Sequence, residues 1–505
     1  MRNTEYLSTR NLRKQFGSVL AVDSVSMRIN RGEIHCLLGE NGAGKSTLSE
    51  CLYGFYKPDS GQIFLSGKPV TFDSPGDAIK AGIGMVHQHF VLVPTFSVLE
   101  NIVLGTSMNG WSSDLSSARR RIAEICDLYG IVTDLNAKVW QLSVGEQQWV
   151  ELLKALYIGA ELLILDEPTA VLTPQESDRL FAILRRMTDN GLAVVLISHK
   201  LNEVLRSDRV TVLRRGKQVG TVETRNVTKQ DLVSMMVGRE VSLQQKRMPR
   251  SPGNIILSIK DLVVRGDRGT ESVCRANLDV RAGEILGIAG VAGNGQKELF
   301  ESIIGARRIE QGEVRLNDQS IANFPPSRVI ELGIGYIPDD RYRAGLVAEF
   351  DIEENLIIGL QKRREFSRNG FLDFSRIASF AQKAIDDFGI VAKSSRARAE
   401  TLSGGNAQKI ILAREMWSST CCLLANQPTR GLDVGVIEYV HKILLKKRSE
   451  GFGILLASEE LDDILSLSDR IAVMFKGRVM GVFQSEDVTI EQLGMLMAGN
   501  AEALH

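Results

Sequence analysis

The chain has 505 residues, 44% apolar and 24% charged, ordinary proportions for a soluble globular protein with room for about two to four domains. Lys plus Arg equals Asp plus Glu at 61 each, so no overall positive field draws the chain to nucleic acid. No stretch approaches about 18 uninterrupted apolar residues, the opening MRNTEYLSTRNLRKQF lacks a signal peptide's apolar core, and the six cysteines form no CxxC pair. The expectation is a chain with no membrane span, disulfide or zinc site, at home in a reducing cytoplasm.

In chain order, the first informative element is EIHCLLG (33–39), an apolar run of strand length that leads into GENGAGKST (39–47). This stretch matches G-x-x-x-x-G-K-[ST] and precedes a helix-like segment, the context a P-loop requires. Gly39, Glu40, Asn41, Gly42, Ala43, Gly44, Lys45, Ser46 and Thr47 form the candidate phosphate cradle. Its glycines let backbone N–H groups close around phosphate oxygens. Lys45 then reaches the β- and γ-phosphates, and the Ser46 hydroxyl ligates magnesium. Residues 95–141 are helix-rich by pattern and predict a separate helical lobe. ELLILDEP (161–168) reads as a strand delivering Asp166 to a magnesium shell and Glu167 to the attacking water. The helix-like PQESDRLFAILRRMTDNG then alternates with the strand-like LAVVLIS, which ends at His199. That alternation predicts an α/β fold with a mainly parallel sheet flanked by helices.

The unit is then written a second time. Gly39 and Gly290 are 251 apart (290 − 39), as are Gln88 and Asp339 (339 − 88). LSVGEQQ at 142–148 answers LSGGNAQ at 402–408, now 260 apart (402 − 142), so nine extra residues lie between Asp339 and the second LSGG. They read as surface additions to a shared framework. The halves end alike, in VTKQDLVSMMVG (227–238) and VTIEQLGMLMAG (488–499), whose methionines fit an apolar helix face. The polar, Pro- and Gly-bearing stretch between them predicts a domain at 1–240, a linker at 241–253 and a second domain at 254–505.

With P-loop, signature-like LSVGEQQ and LSGGNAQ, and the Asp-Glu strand in that order, the chain resembles the ABC ATPases along nearly its whole length, twice. The resemblance implies two tandem P-loop domains in a head-to-tail sandwich, with each ATP held between one half's P-loop and the other's signature. It also implies roles for Gln88 (magnesium and coupling), His199 (γ-phosphate sensing) and Phe16 (adenine stacking). Core packing for Phe16 and a satisfied structural histidine at 199 are the plain alternatives.

The second copy departs from the pattern where chemistry would occur. Gly290, Gly293 and Gly295 remain, but Gln296 and Lys297 stand where the first copy has Lys45 and Ser46. Asn426, Gln427, Glu459 and Asp339 replace Asp166, Glu167, His199 and Gln88. An amide at 427 cannot take a proton from water, and Glu459 would set negative charge beside a phosphate. Lys297 leaves open phosphate binding without hydrolysis. Applied head to tail, the resemblance sets the intact P-loop against Ser403, Gly404, Gly405 and Asp433, and the altered P-loop against LSVGE, where Val144 replaces a glycine. Its TAVLT loop ends at Thr173 where the second half has Asp433. The losses gather on one site and spare the other.

With no membrane span, transport calls for separate permease subunits, which need not be identical to each other. Contact is expected near 87–105, whose FVLVPTF run is either an interaction patch or core. Among tandem ABC proteins the resemblance is to importers of monosaccharides and nucleosides. VHQHFVLVPTFSVLENI, GVAGNGQ and QPTRGLDVG look most like the nucleoside or simple-sugar branch, with a ribose/galactose importer as the alternative. A solute-binding protein enters indirectly, ATP and Mg2+ are the cofactors, and the expected place is the cytoplasmic face of the membrane. A ribosome-acting tandem ABC protein fits less well, since such proteins keep both sites and carry a long charged linker.

Overall fold

The computed structural model describes residues 5–88, 90–104, 115–169, 172, 174–238, 252–291, 293–497 and 499–500. The chain divides into two compact units, residues 1–241 and 242–505, each described by itself.

In the first unit a six-stranded sheet runs Lys217–Glu223, Arg209–Arg214, Ile34–Leu38, Ala193–Ser198, Leu162–Asp166, Ile83–Val86. Five strands are parallel and the edge strand Lys217–Glu223 is antiparallel. The apolar runs read from sequence are these strands: Ile34–Leu38 is buried throughout, as are Leu162–Leu165. Continuous apolar runs are what a parallel sheet covered on both faces demands. A second, antiparallel sheet formed by Glu5–Phe16, Val19–Val25, Arg28–Asn30, Ser60–Leu65 and Lys68–Val70 packs beside it. Helices Val98–Val103, Leu115–Tyr129 and Val144–Ile158 pack on one another through Val98, Ile102, Ala118, Ile122 and Leu152, giving the helical lobe.

The second unit repeats the sheet order strand for strand: Arg478–Gln484, Arg470–Phe475, Ile285–Ala289, Gly453–Ala457, Cys422–Asn426, Ile334–Ile337. The terminal helices Lys229–Val237 and Ile490–Met497 bury Met236 and Met497.

The nine extra residues separate into two pieces. Buried Asn101 and Asn355 each bind the backbone eight residues upstream, at Val93 and Val347, and so mark equivalent points. From Gln88 to Asn101 is 13 residues (101 − 88) and from Asp339 to Asn355 is 16 (355 − 339), so three belong here. They open the chain into a π-helical turn, Arg341–Gly345. The other six lie between Asn355 and Ser403 (48 residues, against 42 from Asn101 to Ser143), where an exposed hairpin pairs Ser367–Arg368 with Phe371–Leu372.

Candidate ATP site

In an open parallel sheet, ligand-binding residues collect at the carboxyl ends of the strands. Four adjacent strands of the first unit end in the predicted motifs. Ile34–Leu38 enters the P-loop, Leu162–Asp166 delivers Glu167, Ala193–Ser198 delivers His199, and Ile83–Val86 delivers Gln88. Their register is matched: Leu38 faces Ser198, Asp166 faces Ile197 and Leu165 faces Val86.

The P-loop glycines answer to geometry. Gly44 has φ +99°, and a Cβ there would lie 2.2 Å from the Ala21 carbonyl oxygen. Gly39 is also confined, its would-be Cβ 2.5 Å from the Leu213 carbonyl oxygen. Past this turn the helix Lys45–Leu52 begins, so its free N–H groups and positive end open onto the loop. Lys45 is buried, its Nζ donating to the carbonyls of Gly39 (2.7 Å) and Glu40 (3.0 Å).

Beside the loop, three side chains join in a line. Gln88 Nε2 donates to Glu167 Oε2 (3.0 Å), and His199 Nδ1 lies 2.9 Å from Glu167 Oε1. The His199 contact holds the Glu167 carboxyl below its ordinary range despite burial. Burial and the neighbouring Glu167 charge push Asp166 up, opposed by Lys45, His87 and a hydrogen bond from Ser46. Glu167 sits at φ +48°, a left-handed conformation rare for a glutamate and of a kind that gathers at functional sites. Ser46 and Asp166 thus present adjacent hard oxygen donors, a set that fits Mg2+.

Phe16 is not core. The residue is 41% exposed, its ring edge-on to Tyr56 at 4.9 Å and 5.4 Å from Lys14 Nζ, on the hairpin whose Ala21 abuts Gly44. The corresponding hairpin of the second unit, RGDRGTES (265–272), carries no aromatic ring.

The second unit keeps the backbone and changes the side chains. Gly293 and Gly295 hold φ +85° and +96°, and Gly290 is crowded by Gln296 Nε2 and the Met474 carbonyl. Gln296 is buried as Lys45 is, while Lys297 lies on the helix exterior, 3.8 Å from Glu301. Asn426 is buried, Asp339 half-buried, and Gln427, at φ +52°, accepts through Oε1 from the Glu459 backbone N–H (3.1 Å). Glu459 stands where the first unit has the His199 imidazole, and the amide Gln427 where it has the Glu167 carboxylate.

The two signatures cap helices. Ser143 accepts from the Glu146 N–H at the start of Val144–Ile158, and Ser403 from the Asn406 N–H at the start of Gly404–Ser418. Asp433 is the N-cap of Val434–Ser449. Thr173, its first-half counterpart, lies outside the described residues.

One constellation escaped the motif reading. Glu203, buried, accepts from Thr169 Oγ1 and from Ser198 Oγ (2.7 Å), tying the loop after the Asp-Glu pair to the strand carrying His199. The repeat offset would have found it: Thr429, Ser458 and Asp463 are each 260 further on (429 − 169, 458 − 198, 463 − 203) and make the same bonds. Glu203→Ala should cost about 1–3 kcal/mol by stranding two buried hydroxyls, lowering the unit's melting temperature by roughly 2–10 °C. Calorimetry checks this, and a shift within about 1 °C would refute the clamp.

The ABC transporter family model matches residues 22–170 and again 273–430. The chain belongs to the ABC transporter family. It is 44% identical to the nucleoside import ATP-binding protein NupA of Lactococcus lactis subsp. cremoris, over 99% of both chains. It is equally 44% identical to the guanosine import ATP-binding protein NupO of Bacillus subtilis, over 97% of each. The glucose import ATP-binding protein TsgD13 of Haloferax volcanii is also 44% identical, over 100% of this chain and 97% of its own. As an ABC protein, this chain is an ATPase whose hydrolysis is coupled to transport.

Proposed function

We propose that this ABC ATPase hydrolyses ATP at one composite site and drives import of a nucleoside or simple sugar through separate membrane permeases. The domains are 1–240 and 254–505, joined by 241–253. The observation that carries the reading is the Gln88–Glu167–His199 line beside an intact P-loop, against Asp339, Gln427 and Glu459 beside an altered one. Lys45 and the loop N–H groups bind the phosphates, and Phe16 offers its exposed ring to adenine. Ser46 and Asp166, with Gln88 nearby, would hold Mg2+, which neutralises charge developing on the phosphates. Glu167, kept ionised by His199, accepts the proton of the attacking water; a carboxylate with two partners retains lone pairs for a third. By resemblance to other ABC ATPases, Ser403, Gly404, Gly405 and Asp433 would complete the binding of the same ATP.

The surface proposed to meet the permeases is 87–105, a reading supported by the exposure of Val91 (68%) and Phe96 (38%), while Leu92 of the same run packs on the core. No helix among the described residues is long and apolar enough to cross a membrane. As the ATPase of an importer, the chain would sit on the cytoplasmic face, bound to one or two kinds of permease, with a solute-binding protein beyond them.

Relatives named for nucleoside and for glucose import are equally similar, so cargo is decided by transport. Radiolabelled guanosine, glucose and ribose are offered to proteoliposomes holding the permeases that co-purify with this chain. The expected result is ATP-dependent uptake of guanosine or glucose that Glu167→Gln removes. Co-purification with ribosomes instead of permeases would overturn the importer reading.

A further inference from the structure

The three-residue insertion after Asp339 does more than decorate the second unit. Asp340 accepts from the N–H groups of Tyr342 (3.1 Å) and Arg343 (3.0 Å), folding the turn Arg341–Gly345. Gly345 anchors it: a Cβ there would lie 2.5 Å from Ile411 Cδ1, on the signature helix Gly404–Ser418. The turn thereby aims Arg341 across the unit. Its Nη1 donates to the Gly404 carbonyl (3.0 Å) and its Nη2 to the Arg430 carbonyl. Among the described residues it makes no ion pair, so the half-buried guanidinium is devoted to main-chain oxygens.

Those two oxygens belong to the two segments the proposed site takes from this half, the start of the signature helix and the loop before Asp433. Gly404 lies inside the Ser403–Gly405 signature, and Arg430 is three residues before Asp433. A trans peptide is planar, with C=O and N–H on opposite sides. Holding the Gly404 carbonyl therefore also holds the Gly405 N–H facing the other way.

The latch and the intact signature occur together. A Cβ on Gly404 would come 2.8 Å from Arg341 Nη1, so the guanidinium would have to shift from its present place. The first half has Val144 at that place, lacks the inserted turn, and has no arginine anywhere between Gln88 and Asn101. So the half whose signature would face the altered P-loop has neither glycine nor arginine, and the half whose signature would face the working P-loop has both.

We propose that Arg341 is a positioning residue: it locks the second half's signature and its Arg430–Asp433 loop into one rigid surface for turnover at the first P-loop. This rests on the composite-site reading above. The test uses the full chain in its permease complex, comparing Arg341→Ala, Arg341→Lys and Glu167→Gln. Arg341→Ala should speed amide exchange at 403–409 and 429–434 at least about threefold. It should lower kcat about ten- to a hundredfold, since misplacement of about 1 Å has that effect, with KM for ATP changed less than about threefold. Arg341→Lys, reaching one carbonyl, should fall between. Unchanged exchange overturns the latch. Faster exchange with kcat within about twofold of the parent overturns its role in turnover. Glu167→Gln reports separately: retained turnover there means that the composite-site reading, not the latch, has failed.

Discussion

Glu167→Gln is expected to lower ATP turnover about a hundred- to ten-thousandfold, the range general-base catalysis supplies. The exchange keeps the shape of the side chain, and an amide oxygen can still pair with Gln88 or His199. What disappears is a group that accepts water's proton. ATP binding should survive, because Lys45 and the loop backbone are untouched. Gln427→Glu, the mirror change in the second unit, should alter turnover less than about twofold, since Glu459, Asn426 and Gln296 would still deny that site its sensor, metal ligand and phosphate cation. Steady-state ATPase of the permease complex decides the matter, and the reverse ranking would falsify the assignment of the working site.

The second large effect is expected from exchanging the signatures. Gly404→Val should reduce turnover about a hundredfold or more, although Gly404 lies in the unit with no catalytic carboxylate. A valine there hinders backbone approach to the γ-phosphate and crowds the Arg341 guanidinium. Val144→Gly, which restores the glycine to the first unit, should change turnover little, because the P-loop it would face lacks Lys45 and Ser46 equivalents. If each half served its own P-loop, the order of the two would reverse. The pair therefore tests the head-to-tail arrangement without any structure of the complex.

Much of this architecture is legible in the sequence. Strand assignments and the P-loop followed from continuous apolar runs ending in glycines, because a covered parallel strand and a phosphate turn each tolerate few other sequences. Gln88 and His199 came only through resemblance. Their meeting on Glu167 depends on the register of three neighbouring strands, which no local pattern encodes. Sequence leaves Phe16 open, because a lone aromatic beside a strand has the same sequence whether it faces core or solvent. Glu203 and Arg341 were missed for different reasons. The first is a repeated position with no motif around it, and the second lies in an insertion, where comparing the halves offers no counterpart.

Gln427 carries a last implication. It shares with Glu167 both a left-handed backbone and an N–H donated to the neighbouring strand, at Ala457 and Ile197 respectively. A conformation costing about 1–3 kcal/mol is thus upheld at a position with no proton to move. The frame that presents a catalytic side chain and the side chain's reactivity are separable inheritances here. At this position, restoring a carboxylate to the second unit would need a change of side chain and not of backbone.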